Sequence, residues 1–106
     1  MKYIIKGKGG QGVLFLSKII AHSLMLSDIK DFNFLKEFDE GQRGGDIKVT
    51  FKLPFDLPDK ELIIKEHNLI ELKKVVRDLD LKNIEESIKI VKPSAFKKNL
   101  EIWLQK

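Results

Sequence analysis

The chain has no cysteine. Disulfides, a thiolate zinc site and any iron–sulfur cluster held by the chain's own thiolates are therefore excluded. Histidine is nearly as scarce: His22 and His67 are the only two, and no aspartate–asparagine motif for a metal–diphosphate complex is present. Long hydrophobic runs are missing as well. The longest apolar segment, residues 13–26, is interrupted by Ser17, Lys18, His22 and Ser23 and is too short to cross a bilayer. Glycines at 7–12 break the first apolar run, so nothing there reads as a signal peptide, and a soluble, cytoplasmic protein is expected. Neither internal repeats nor low-complexity segments occur. Basic and acidic residues number 20 and 16, a net charge of +4, and the two signs are mixed along most of the chain. The one local excess, at Lys92, Lys97 and Lys98, is modest. A nucleic-acid footprint needs clustering on one face, so these lysines read as solvated surface.

What remains is a single small domain, residues 1–106, with enough apolar residues for one core. Residues 1–6 read as a strand and residues 12–27 as a helix apolar around most of its circumference, with Ser17, Lys18 and His22 as a narrow polar strip. Such a helix is buried on several sides, by its own sheet and by more chain or a partner. Residues 28–31 make a turn and 32–38 read as a second strand. The clearest alternation follows, Ile47, Val49, Phe51 and Leu53 against Lys48, Thr50 and Lys52. It suits a half-exposed strand in an antiparallel pair or at an edge. Pro54 and Pro58 bracket a turn, and residues 62–64 read as a short buried strand. Leu69, Leu72, Val76 and Leu79, with Ile70 and Val75 beside them, trace an amphipathic helix with Glu71, Lys73, Lys74, Arg77 and Asp78 outward. Residues 88–91 read as a fifth strand. Pro93 and Ser94 open a last helix, Ser94 as its cap and Phe96, Leu100 and Trp103 on one face. This order predicts an α/β domain: a three-layer α/β/α, Rossmann-like arrangement with a mixed, mostly parallel sheet of about five strands.

Four of the seven glycines fall in Gly7-Lys8-Gly9-Gly10-Gln11-Gly12, between the first strand and the first helix. Gly7, Gly9 and Gly12 fit G-x-G-x-x-G. In that setting backbone N–H groups converge on an anion at a helix N-terminus, and glycines permit a tight turn and close approach of a ligand. A second polar loop, with Gln42-Arg43-Gly44-Gly45, precedes the alternating strand. Arg43 between glycines suits bidentate recognition of a phosphate or carboxylate. Gly9, Gly10 and Gly12 could offer N–H groups to the same anion, with Lys8 adding positive charge. The alternative stays open that Arg43 pairs with Asp39, Glu40 or Asp46, that Gln11 caps neighbouring backbone, and that both loops are architecture. His22 reads as a helix-surface or partner-contact residue, and Trp103 and Phe96 as packing. Asp39 and Glu40 stand where a dinucleotide fold places its ribose-binding acid, which keeps NAD-type binding as a minor alternative.

The two loops, in this order and context, resemble the gamma-type domain of the 2-oxoacid:ferredoxin oxidoreductases, the pyruvate oxidoreductase family. That family carries G-x-G-G-Q-G after its first strand and R-G-G before a later one. Gln42 ahead of Arg43 is more similar to the indolepyruvate branch. The resemblance covers residues 1–53 and extends to 62–66 as the family's next strand. Lys8 stands where the family usually has an apolar residue, and much of the family's C-terminal part is missing or replaced, so the domain reads as a truncated one. The resemblance implies an accessory, non-catalytic subunit. Partner subunits hold thiamine diphosphate and iron–sulfur clusters and decarboxylate a 2-oxoacid such as pyruvate to its acyl-CoA. The ligand-contacting positions it implies are Gly7, Lys8, Gly9, Gly10, Gln11, Gly12, Gln42, Arg43, Gly44 and Gly45, with coenzyme A as the candidate ligand and no metal. Other subunits of the assembly, or a second copy, are the expected partners; nucleic acid and membrane are not. Two other classes compete. One is a stand-alone remnant that binds coenzyme A or a nucleotide through the glycine loop. The other is an RNA-binding module, because Gly7-Lys8-Gly9-Gly10 matches the GXXG loop of a KH domain and Arg43-Gly44-Gly45 is an RGG triplet. A KH loop joins two helices, whereas a strand precedes Gly7 here.

Overall fold

The computed structural model describes residues 1–9, 12–38, 45–64, 69–91, 98 and 102. Among them the elements are β1 (Lys2–Lys8), α1 (Val13–Leu26), β2 (Asn33–Phe38), β3 (Asp46–Lys52), β4 (Lys60–Ile63), α2 (Leu69–Leu79) and α3 (Ile84–Ile90). The chain is a mixed α/β protein. It divides into two compact units, Met1–Ser17 with Lys30–His67, and Lys18–Ile29 with Asn68–Lys106.

The first unit is built on a four-stranded sheet in the order β2-β3-β1-β4. β1 is antiparallel to β3, β3 is antiparallel to β2, and β1 is parallel to β4. β1, β2 and β4 therefore point the same way and β3 alone opposes them. The expectation of a mixed sheet holds, but not that of a mostly parallel one. Because β3 inserts between β1 and β2, two of the three ladders are antiparallel. This is where a strand with clean alternation belongs: β3 lies inside the sheet yet has one wet face.

The register sorts the side chains. Tyr3 faces Phe51, and Ile5 faces both Val49 and Leu62; all five are buried. On the other face Lys2, Lys6, Lys8, Lys48 and Lys52 alternate with Ile4 and Thr50, and every one of these is exposed or half-exposed. Ile63, expected inside a short buried strand, lies on that exposed face opposite Lys6 and is 57% exposed. Only Leu62 and Ile64 of the triplet are buried. Backbone bonds anchor the start of β1: the Met1 ammonium donates to the carbonyls of Leu53 and Phe55, and Lys2 N–H donates to Asp59 Oδ1 at 2.8 Å. Ile64 N–H extends the parallel ladder to Lys6 O, 2.8 Å away.

Helix α1 begins at Val13, as its apolar run requires. Ser17, expected in a polar strip, is buried. Its hydroxyl donates to the Val13 carbonyl at 2.8 Å, which satisfies it within the helix. Lys18 is exposed and His22 half-buried.

In the second unit, helix ends α1 and α2 close in the same way. Ile29 N–H reaches Leu24 O at 2.9 Å and Asp28 N–H reaches Met25 O, with Asp28 at φ 63. Leu81 N–H reaches Val76 O at 3.3 Å, with Asp80 at φ 51. Both are left-handed C-terminal caps with aspartate where glycine is usual. α2 buries Leu72, Val75 and Leu79; Val76, expected inward, and Glu71 and Asp78, expected outward, are half-buried.

The fifth strand expected at 88–91 is instead the end of α3. Ile84, Ser87 and Ile88 are buried while Glu85, Glu86, Lys89 and Ile90 are exposed. That spacing is helical, with acids in the first turn and Lys89 in the last. Asn83, ahead of α3, donates from Nδ2 to Ser27 Oγ at 2.9 Å, and Ser87 Oγ donates to Asn83 O. Ser94, Phe96, Leu100 and Trp103 of the expected last helix lie outside the described residues. No helix among the described residues is long and apolar enough to cross a membrane.

Candidate functional site

The end of β1, before the first glycine loop, lies beside the start of β3, after the second. The β1–β3 register ends with Gly7 opposite Ile47 and Lys8 opposite Asp46. One step further, Gly9 N–H donates to Gly45 O at 3.0 Å. Gly7 and Lys8 are thus strand residues, not loop residues: β1 runs on to Lys8 rather than ending at Lys6. The first loop starts at Gly9 and the second ends at Gly45, on neighbouring strands at one end of the sheet. Gly12 lies at the other side of the first loop, at φ 84, and its carbonyl accepts Leu16 N–H at 2.9 Å, the first bond of α1. A positive φ of this size suits glycine alone. Gly10, Gln11, Gln42, Arg43 and Gly44, and with them Asp39 and Glu40, lie outside the described residues.

The Gly9 bond changes what the loop offers. Its N–H was expected to point at an anion, and it is committed to Gly45 instead. Lys8, expected to add free positive charge, forms an ion pair with Asp46. Both side chains are largely exposed, so this pair contributes about 0–1 kcal/mol.

At the same end lies an open depression of about 640 Å³. Lys6, Lys8, Lys48 and Asp46 supply its polar lining, and Gly7, Ile47, Ile63 and Ile64 its apolar part. It sits at the carboxyl ends of β1 and β4, the position where open α/β sheets take their ligands. Lys6 is bound to Glu61 at 3.0 Å. The elements place Lys6, Lys8 and Lys48 on one face because all occupy matched positions of the β1–β3 ladder. Chemically the groove suits an anion attached to an apolar stem. The sheet's aromatics Tyr3, Phe34 and Phe51 share the opposite face, so these rings do not serve this groove.

No family model, curated protein or solved structure matches the chain. The site therefore stands on its geometry. Sequence reasoning named Gly7 and Lys8 of this groove as site residues and weighed Asp46 only as a partner of Arg43, but passed over Lys6, Lys48 and Ile63. Their signal was the alternation of lysines at 2, 6 and 8 with those at 48 and 52, which becomes a cluster only once β1 and β3 are paired.

Proposed function

We propose that the chain is an accessory gamma-type subunit of a 2-oxoacid:ferredoxin oxidoreductase, of Rossmann-like three-layer architecture, that receives coenzyme A at the carboxyl end of its sheet. The observation that supports this reading is the Gly9–Gly45 bond, which joins one residue of the G-x-G-G-Q-G motif to the last residue of the R-G-G motif. The groove at this end of the sheet adds three lysines and an apolar wall. Coenzyme A has matching chemistry: phosphates for lysine and arginine, and a pantetheine arm for the exposed Ile63. Thiamine diphosphate and the clusters belong to partner subunits, which supply decarboxylation and electron transfer. The role left to this chain is to bind and present the thiol carrier.

Affinity purification from native extract tests the assembly. Recovery of a thiamine-diphosphate-binding partner supports the subunit reading, and elution of the chain alone overturns it. A second reading, a stand-alone domain binding coenzyme A or an adenine nucleotide, draws on the same groove, whose lysines suit a phosphate. Ligand-induced stabilisation without any partner distinguishes it.

A further inference from the structure

β2 ends the sheet, bonded to β3 on one side and to nothing described on the other. All six of its residues are exposed. Three are large and apolar: Phe34 at 44%, Leu35 at 58% and Phe38 at 54% exposure. Edge strands are ordinarily blunted by proline, by a bulge or by charge turned inward. β2 has no proline, and it pairs residue for residue with β3 from Asn33 to Phe38 without a bulge; its charges are Lys36, on the face of Val49 and Phe51, and Glu37 on the other face. The opposite edge, β4, has four residues and one exposed large apolar side chain, Ile63.

We propose that β2 is the contact edge of a symmetric homodimer, pairing antiparallel with β2 of a second copy so that Leu35 meets Leu35 of the partner subunit on the two-fold axis. The charges select this register. A two-fold axis normal to the sheet keeps each face on its own side, so directly opposed residues come from the same face. With Leu35 on the axis, Asn33 stands opposite Glu37 of the partner subunit, Phe34 opposite Lys36 of the partner subunit, and Phe32 opposite Phe38 of the partner subunit. The seam then carries an amide facing a carboxylate, an ammonium beside a ring, and an aromatic pair, each favourable across strands. Lys36 already lies 5.5 Å from the Phe34 ring within one chain, and the pairing gives it a second ring. Within β2 the neighbouring registers are poorer: moving the axis to Lys36 opposes two lysines, moving it to Glu37 opposes two glutamates, and moving it to Phe34 carries Glu37 past the end of the partner subunit's β2. This dimer contact is independent of what the groove binds.

Sedimentation of the full chain at micromolar concentration, combined with cysteine cross-linking, tests it. A dimer is expected, with Leu35→Lys weakening association at least tenfold and Ile63→Lys, on the other edge, leaving it unchanged. Both side chains are exposed, so circular dichroism should show the fold retained. The chain has no cysteine of its own, so Leu35→Cys gives a clean second readout. Cross-strand Cα atoms about 4.5–5.5 Å apart lie within disulfide reach, and mild oxidation should give a covalent dimer, whereas Leu57→Cys, also exposed, should stay uncross-linked. A chain that remains monomeric, a dimer indifferent to Leu35→Lys, or Leu35→Cys cross-linking no faster than Leu57→Cys overturns the proposal.

Discussion

Gly9 donates its backbone N–H to the carbonyl of Gly45 at 3.0 Å, one step beyond the Lys8–Asp46 pair that closes the β1–β3 register. The bond is local, but it joins residues from two loops far apart in sequence. It also spends the Gly9 N–H on the sheet. Of the lysines lining the groove at this end, Lys48 is the one with no ion pair among the described residues.

Lys48→Glu should abolish binding of coenzyme A. At about a hundred times its dissociation constant, a ligand adds about 2.7 kcal/mol to stability, visible as a clear rise in melting temperature. The wild-type chain should show that rise and Lys48→Glu should not. Lys52→Glu, on the same face but outside the groove lining, should keep most of it. Equal shifts in both variants would remove Lys48 from the site.

Gly12→Ala should destabilise the protein by about 1 kcal/mol or more. Gly12 sits at φ 84 and carries the carbonyl that starts α1. A Cβ there costs about 1–2 kcal/mol, only partly offset by the reduced freedom of the unfolded chain. Urea unfolding should show a lower midpoint with an unchanged slope. No change in midpoint would mean that the loop accepts a side chain and that glycine at 12 serves something other than the turn.

Much of this molecule is legible in sequence where a pattern is local. The period of Leu72, Val75 and Leu79 gives α2, and the alternation of Val49 and Phe51 gives β3 with its buried and wet faces. Position within a sheet is not local. Nothing in residues 46–52 says that they insert between β1 and β2, and that insertion made the sheet less parallel than a strand–helix–strand order suggests. The same gap hid the groove: Lys6 and Lys48 are ordinary surface lysines until the register puts them opposite one another. For Gly7 the pattern misled. A G-x-G-x-x-G spacing places all three glycines in one turn, whereas Gly7 is still in the ladder, facing Ile47.

Asp80→Gly should raise stability by about 0.5–1 kcal/mol. Asp80 is exposed and sits at φ 51 beyond α2, while Leu81 N–H returns to Val76 O. Glycine takes that conformation without steric penalty, whereas a side chain pays about 1 kcal/mol or more. Asp80→Val, branched at Cβ, should lower stability by more than Asp80→Gly raises it. Thermal unfolding of both variants checks the pair, and identical melting temperatures would contradict the left-handed cap.

The segment 84–90 offers the sharpest separation of helix from strand. In a strand Ile88 and Ile90 would share a face, and replacing either would cost a similar amount. In α3 two residues span about 200° of rotation, which sends the two side chains to opposite sides: Ile88 is 1% exposed and Ile90 57%. Ile88→Ala should therefore cost about 2–5 kcal/mol through lost burial and a residual cavity. Ile90→Ala should stay within about 0.5 kcal/mol of wild type, with alanine's helix propensity offsetting the little apolar area removed. Denaturant unfolding of the two variants, run side by side, reads the difference directly. Comparable losses at both positions would restore the strand, and with it a fifth member of the sheet.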